Sequence, residues 1–597
     1  MRKRKLSKWL LIIVSFVIVS GGIAVITALY MKSRPIDITE ANFPDKAFRE
    51  EVSKQFDKDK NGQLSLEEIS KATKLKLSGK KHFNSMVGIE KLEELRDIEG
   101  KEEVSVGDAH LFERVKKLET IHLQFRVKDE INICNLTNIK KVEVSVHNTH
   151  LCRFVRILNC PNLKEVKLEE YTIGDNVTVQ VAKCASLFNV TLVGVGIGDI
   201  SFEKCETLSK VDIEGSATKQ VRFGEDLKAL KKVKASYMEE LKNIDFSRLS
   251  SLASVNLCAM DELKNICFAD DCTVSRVVYE SLPQFTNLSF VGLKRLKHVE
   301  IHNLEQLKIL ELCNNSQIAK IKMNNLPKLE KLKLENTSSL KELRIKKVPK
   351  LDVDFSQLRN LQKLRLENCE IGEIEDVSKL KELYIDKSTF PLIDFSQMHD
   401  LEKIIMLEST VKKDTKKENV FDFRNLSKIK KIEIDLKNEV GVRWGRHKCL
   451  KNLSCWRGIK GVEVLDLKCF PNVKNLDWNC GDLVALKNEK GNKIVDLNLA
   501  GNKLTGTWDL SKFPNLWRSI YLDNNKITRI IHSKEGPYTI SCKKNKIKEI
   551  KIKRVQYIDC DPNVTIYTDK KTKLDAEFNY LDEFEYLNDK KLNIVYY

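Results

Sequence analysis

Glycine and proline are scarce in this chain, at 24 and 11 of 597 residues. That excludes a collagen-like chain and a low-complexity disordered one. Residues 1–34 contain no acid, and residues 9–31 contain no charge of either sign. No H-E-x-x-H, no C-x-x-C pair, no G-x-S-x-G and no phosphate-binding loop occurs anywhere. Two stretches come near a motif and miss it. "GVGIGD" (Gly194–Asp199) breaks the G-x-G-x-x-G spacing and has no βαβ frame around it. "HNTHLC" (His147–Cys152) with Cys160 does not have the spacing of a zinc site. The chain is therefore expected not to be an enzyme.

The uncharged run Trp9–Met31 follows the basic start "MRKRKLSK". A signal-peptide core is about 7–15 residues and a membrane-spanning helix about 20. The run fits the helix. Basic residues outnumber acids before it more than after it, which places the N-terminus inside. The expectation is a cytoplasmic tail (1–8), a transmembrane signal anchor (9–31), a linker (32–41) and a single-pass protein whose bulk is extracellular. Cleavage near Ala24 or Ala28 would release it as a secreted protein. The formal charge is +18, of which residues 1–34 hold +7. The moderately basic remainder suits anionic surfaces such as wall polymers or sulfated glycans. A solvated lysine-rich surface explains it equally. No nucleic-acid motif is present.

Sixteen cysteines in an exported chain suggest disulfides. Their positions argue otherwise. Cys160, Cys184 and Cys205 recur at the same place in "NCPNLKEVKL", "KCASLFNVTL" and "KCETLSKVDI". Cysteines locked to a repeat pack as small hydrophobes, so mostly free thiols are expected. Cys449 and Cys455 in "GRHKCLKNLSCW" are read the same way.

The repeat itself is plainest at "LKHVEIHN", "LKILELCN", "IAKIKMNN", "LEKLKLEN" and "LKELRIKK". These begin at Leu296, Leu307, Ile318, Leu329 and Leu340. Apolar residues alternate with charged ones, so each is a strand with one buried face. Asn303, Asn314, Asn325, Asn336 and Asn368 share one register and are expected to hydrogen-bond the backbone where the chain turns. Later, "IVDLNLAGNKL" (Ile494–Leu504) has the spacing L-x-x-L-x-L-x-x-N-x-L, and Asn525, Asn545 and Asn563 repeat it. This pattern resembles the leucine-rich repeat family over residues 73–566, more loosely at 80–290 and 410–490. A coil of that family takes about 20–29 residues. The eleven-residue step is half a coil. The expected fold is a mostly β leucine-rich repeat solenoid with strands on both faces, closed by a C-terminal cap or tail (567–597).

"DKDKNGQLSLEE" (Asp57–Glu68) matches D-x-[DN]-x-[DN]-G-x5-E throughout. Asp57, Asp59 and Asn61 supply positions 1, 3 and 5. Gly62 turns the chain, Gln63 offers its carbonyl at 7, Ser65 lies at 9, and Glu68 at 12 can bind through both oxygens. Six to eight oxygens is what calcium takes, so one Ca2+ ion is the expected cofactor. Before the loop, Phe48, Val52 and Phe56 share one helix face, with Pro44 suited to the first turn. After it, Ile69 and Ala72 start a short exit helix. The module 42–72 resembles the single EF-hand-like or dockerin-like unit of Gram-positive surface leucine-rich proteins. A dockerin carries two such loops and this chain has one, so scaffold docking is the weaker reading. The first coil is expected to replace the missing partner, with Phe48, Val52, Phe56 and Ile69 packing on Leu75 and Leu77. Weak extracellular affinity, about 10⁻⁴–10⁻³ M, follows.

What the resemblance implies is a membrane-anchored adhesion or recognition protein that binds protein or anionic glycan. A structural envelope protein with no foreign ligand is the alternative. A surface enzyme with its site at 410–490 is a third reading.

Overall fold

The computed structural model describes residues 34–77, 82–83, 85–100, 104–106, 109–126, 130–146, 153–170, 177–194, 196–215, 217–413, 418–535, 539–553, 557–568 and 593–597. The expected membrane segment 9–31 and the stretch His147–Cys152 lie outside these residues. Among them, no helix is long and apolar enough to cross a membrane. The chain divides into two compact units, Met1–Val274 and Ser275–Tyr597.

The first unit begins with strand β1 (Ile36–Asp37), helix α1 (Lys46–Phe56), strand β2 (Gln63–Leu64) and helix α2 (Leu66–Lys71). Strand β3 (Lys74–Leu77) then pairs in parallel with β4 (Asp97–Gly100), aligning Leu75 with Ile98. The ladder continues in parallel with Ile98 beside Ile121 and Ile121 beside Val142. It proceeds through Val166, Val190, Val211, Val233 and Val255. On the other face, Glu130–Cys134, Phe154–Leu158, Val177–Ala182, Ile197–Glu203 and Val221–Phe223 form a second parallel sheet. The ladder residues from Leu75 to Val255 named above are all buried, because a strand's side chains alternate and these share the inward register. One fully buried Leu, Ile or Val stabilises by about 1.5–3 kcal/mol, and each coil repeats the gain. Phe202, Phe223, Phe246 and Phe268 stack along the core at 5.6–5.8 Å.

The second unit shows the half-coil step directly. Val299 pairs with Ile321 and Ile321 with Leu343 on one face. Leu310 pairs with Leu332 on the other. Equivalent residues on one face are 22 apart, as Asn303 and Asn325 are. The chain is thus a parallel β-solenoid, with strands on both faces of a 22-residue coil.

The asparagines at 303, 314, 325, 336 and 368 do something other than expected. Each adopts a left-handed backbone, with φ between 52° and 62°. Asparagine tolerates that conformation better than most residues. Four of the side chains bond in pairs between coils, Asn325 Nδ2 to Asn303 Oδ1 at 3.0 Å and Asn336 Nδ2 to Asn314 Oδ1 at 2.8 Å. Backbone bonding belongs to the later set. Asn502, Asn525 and Asn545 donate to Leu499, Leu522 and Cys542 carbonyls at 3.0 Å. Asn563 is exposed and outside that ladder.

Residues 395–478 lose the leucine pattern because aromatics fill the core. Phe395, Phe421, Phe423, Trp444, Phe470 and Trp478 pack in a chain of ring contacts of 5.1–6.1 Å. At the C-terminal end, Asn593–Tyr596 adds in parallel to Thr565–Thr568 and covers that sheet edge. Of the described cysteines, all are free. Cys160, Cys184, Cys205 and Cys455 are fully buried, and Cys267 and Cys449 are exposed.

Candidate metal centre

Helix α1 starts where Asp45 caps it, accepting from Phe48 N at 2.8 Å. Pro44 stands just before this cap rather than inside the first turn. Phe48, Val52 and Phe56 form the buried face. The helix ends at Asp57, which is the first residue of the loop.

The loop's polar side chains fold it upon itself. Asp57 Oδ1 accepts from Asn61 N at 3.1 Å, and its Oδ2 from Gly62 N at 3.0 Å. Asp59 accepts from Asn61 N at 3.2 Å and from Asn61 Nδ2 at 2.9 Å. Asn61 Oδ1 accepts from Gln63 N at 2.8 Å. Gly62 sits at φ +81°, a conformation L side chains seldom adopt. Ser65 caps α2, and Glu68 completes a capping box with it. Glu68 Oε2 accepts from Ser65 N at 2.9 Å and Ser65 Oγ at 2.8 Å, and Oε1 from Lys58 N at 2.6 Å. The donors on Ser65 and Lys58 hold the Glu68 carboxyl below the ordinary glutamate range.

As a result, ligand oxygens of Asp57, Asp59 and Glu68 lie within 4.8 Å of one another. Three carboxylates this close repel unless a cation stands among them. Each carboxylate oxygen can accept more than one bond, so the capping contacts leave donor capacity for a metal. An all-oxygen set of this charge suits a hard divalent ion of calcium type. Of the sequence candidates, the structure brings Asp57, Asp59 and Glu68 together, with Asn61 bonded to both aspartates. The Gln63 side chain turns away and donates to Asp37 Oδ1 at 2.7 Å. The Ser65 hydroxyl is engaged in the helix cap.

The sequence reading missed β1. It pairs antiparallel with β2, matching Ile36 to Leu64 and Asp37 to Gln63, and Ile38 N donates to Gly62 O at 2.9 Å. A two-residue strand has no periodicity to betray it. The only signal is Ile36 and Ile38 flanking Asp37.

The module also packs against the start of the solenoid. Phe43, Phe48, Val52, Leu64, Leu75 and Phe83 are fully buried. Phe48 meets Phe43 and Phe83 edge-on, at 6.0 and 6.5 Å. Gly88 lies against Asn42 O and the Phe43 ring, where a Cβ would come within 2.4 Å of the carbonyl. Across the free edge of β3, Gln55 Nε2 donates to Lys76 O and Gln55 Oε1 accepts from Lys76 N at 2.9 Å.

Outward charges on the second unit are largely matched between coils. Glu300 meets Arg276 at 2.7 Å and Lys322 at 3.3 Å. Glu342 meets Lys320 at 2.8 Å and also Arg344. Glu367 meets Lys346 at 3.1 Å and also Arg365. Exposed pairs of this kind contribute little stability.

No family model and no curated protein matches the chain. Solved structures do. An internalin, InlF, from Listeria monocytogenes is 14% identical, covering 67% of this chain and 98% of its own, with a TM-score of 0.26. The functional domain of InlJ from Listeria monocytogenes, which includes a cysteine ladder, is 16% identical over 65% and 83%, with a TM-score of 0.30. YopM from Yersinia enterocolitica is 11% identical over 87% and 94%, with a TM-score of 0.37.

Proposed function

We propose that this chain is a membrane-anchored surface recognition protein whose solenoid binds a protein or anionic glycan, and whose single calcium ion stabilises the N-terminal cap. One observation carries the calcium reading. The three-carboxylate loop lies between α1, which seals the edge of β3, and α2, which leads into β3. An ion held by Asp57, Asp59 and Glu68 would tie the two helices together and so fix the lid on the first coil. In an EF-hand, the strand within the loop pairs with a second loop. Here β1 takes that place, which supports a structural rather than a signalling role. An open end coil would expose core, so a repeat protein needs such a cap.

The recognition role rests on the strands that each unit carries on both faces of its coils and on the charge pattern of their outward residues. The uncharged run Trp9–Met31 supports anchoring. Calcium titration of the full-length chain, with thermal unfolding followed in parallel, tests the metal. Binding of the labelled protein to foreign surfaces, against binding to its own envelope, tests recognition against the structural alternative.

A further inference from the structure

The outward positions of the second unit change character along the chain. On Lys320–Asn324, Glu342–Lys346 and Lys363–Glu367 they carry lysine and arginine, with glutamates held between them. On Asn475–Trp478, Asp496–Asn498, Ser519–Tyr521, Thr539–Ser541 and Tyr557–Asp559 they are asparagine, serine, threonine, tyrosine and aspartate. None is lysine or arginine, in a chain with 103 of them. The reverse sheet of the same coils keeps its lysines, at Lys487, Lys526 and Lys551.

Parallel register places Asp477 beside Asn498, and Asn498 beside Tyr521. Asp496 lies on the strand next to Asp477. Neither aspartate makes an ion pair among the described residues. Asp477 accepts from Trp456 Nε1 at 2.6 Å and Asp496 from the Ser519 hydroxyl. Burial raises the Asp477 carboxyl above the ordinary aspartate range, and the charges of Asp496 and Glu433 raise it further. Tyr521 presents its ring to solvent at 39% exposure. Farther along, Asp559 is neutralised by Lys543.

We propose that this sheet face, centred on Asp477 and Asp496, docks a polypeptide segment bearing lysine or arginine. The assignment rests on the recognition reading and names its partner class. A partner's cation would relieve the repulsion between two aspartates that accept hydrogen bonds but have no ion pair among the described residues. The Tyr521 ring offers that cation an aromatic face. The surrounding amides and hydroxyls supply partners for a peptide backbone. Charge complementarity selects a basic occupant over an anionic one. It is also local, since the chain as a whole is positive and repels polycations elsewhere.

The test uses the full-length chain in neutral detergent and a fluorescein-labelled lysine homopolymer, read by fluorescence anisotropy. Binding is expected, weakening with salt. Asp477→Asn with Asp496→Asn should weaken it by about tenfold or more. Glu206→Gln with Glu305→Gln makes the same charge change in exposed turns and should leave it intact. If the double variant unfolds early in a melting scan, Tyr521→Ala tests the same face and should also weaken binding. Absence of binding, or equal binding by the wild type and the Asp477/Asp496 variant, overturns the assignment. So does Asp477-dependent binding of a neutral oligosaccharide such as chitohexaose without the homopolymer. If the homopolymer fails while the protein still adheres to foreign surfaces, recognition stands and only this partner class falls.

Discussion

The side-chain amide of Gln55 bonds to both the carbonyl and the N–H of Lys76, standing in for a neighbouring strand. A solenoid's first strand has one partner and one open edge, and open edges invite foreign strands. Helix α1 covers this edge with a single side chain, while its buried face packs Phe48 against the Phe43 and Phe83 rings. Both bonds are solvent-exposed, so water can replace them, and Gln55→Ala should cost about 0.5–1.5 kcal/mol, the net worth of an ordinary hydrogen bond. Hydrogen exchange at the Lys76 amide should quicken while amides in the second unit stay unchanged. An unaltered rate at Lys76 would show that the amide does not seal the edge.

The Glu68 carboxyl sits below its ordinary range when folded. A depressed acid stabilises the fold above its unfolded value, and that contribution disappears as pH falls through the folded value. Without metal, the cap should then loosen on acidification below the ordinary glutamate range. Amide exchange in α2 across pH 6 to 3, in wild type and Glu68→Gln, checks this. The variant should show a flatter profile, and parallel profiles would exclude Glu68 as the cause.

Asn325 holds φ at 57°. Replacing it by alanine forces a Cβ-bearing residue without a local side-chain bond into the left-handed region. The expected loss is about 1–2 kcal/mol, while Asn325→Gly should cost less. Urea denaturation of both variants decides it. Equal losses would place the importance in the Asn303–Asn325 side-chain bond instead.

Cys184 is a fully buried free thiol in hydrogen-bond contact with the Cys160 thiol, and it is pushed up to about 12, first by that contact. Ladder cysteines should be inert to a thiol reagent in the native state. Among the described cysteines, the exposed Cys267 and Cys449 should react first. Mass mapping after brief labelling reads this directly. Early labelling of Cys184 would contradict the ladder packing.

The half-coil step was legible because Leu296, Leu307, Ile318, Leu329 and Leu340 repeat at one interval and aliphatic residues or methionine fill the inward strand sites. The loop was legible because calcium ligation demands fixed spacing. Other features were hidden for physical reasons. Strand β1 is defined by its pairing to Leu64 and Gln63, which no local pattern encodes. The asparagines looked like side-chain partners of the backbone, whereas they hold a left-handed backbone angle and four of them bond to one another, and sequence does not distinguish these roles. Between 403 and 459 the strands lengthen and shift register at Met406/Ser409 and at Ile434/Asp435. Bulges of that kind erase an even period, and aromatic core residues replace the leucines that would have marked it. The exchange of lysine for aspartate, asparagine and tyrosine on one face emerges only once the register aligns the strands.

The central claim is that a calcium ion at Asp57, Asp59 and Glu68 fixes the cap. The most direct measurement is calorimetric titration of the full-length chain with calcium, repeated for Glu68→Gln, with melting followed at each concentration. One site is expected in the wild type, with cap stabilisation that reaches about 2.7 kcal/mol at a hundredfold excess over Kd, both lost in the variant. Binding without a rise in melting temperature, or a rise that survives Glu68→Gln, would contradict it.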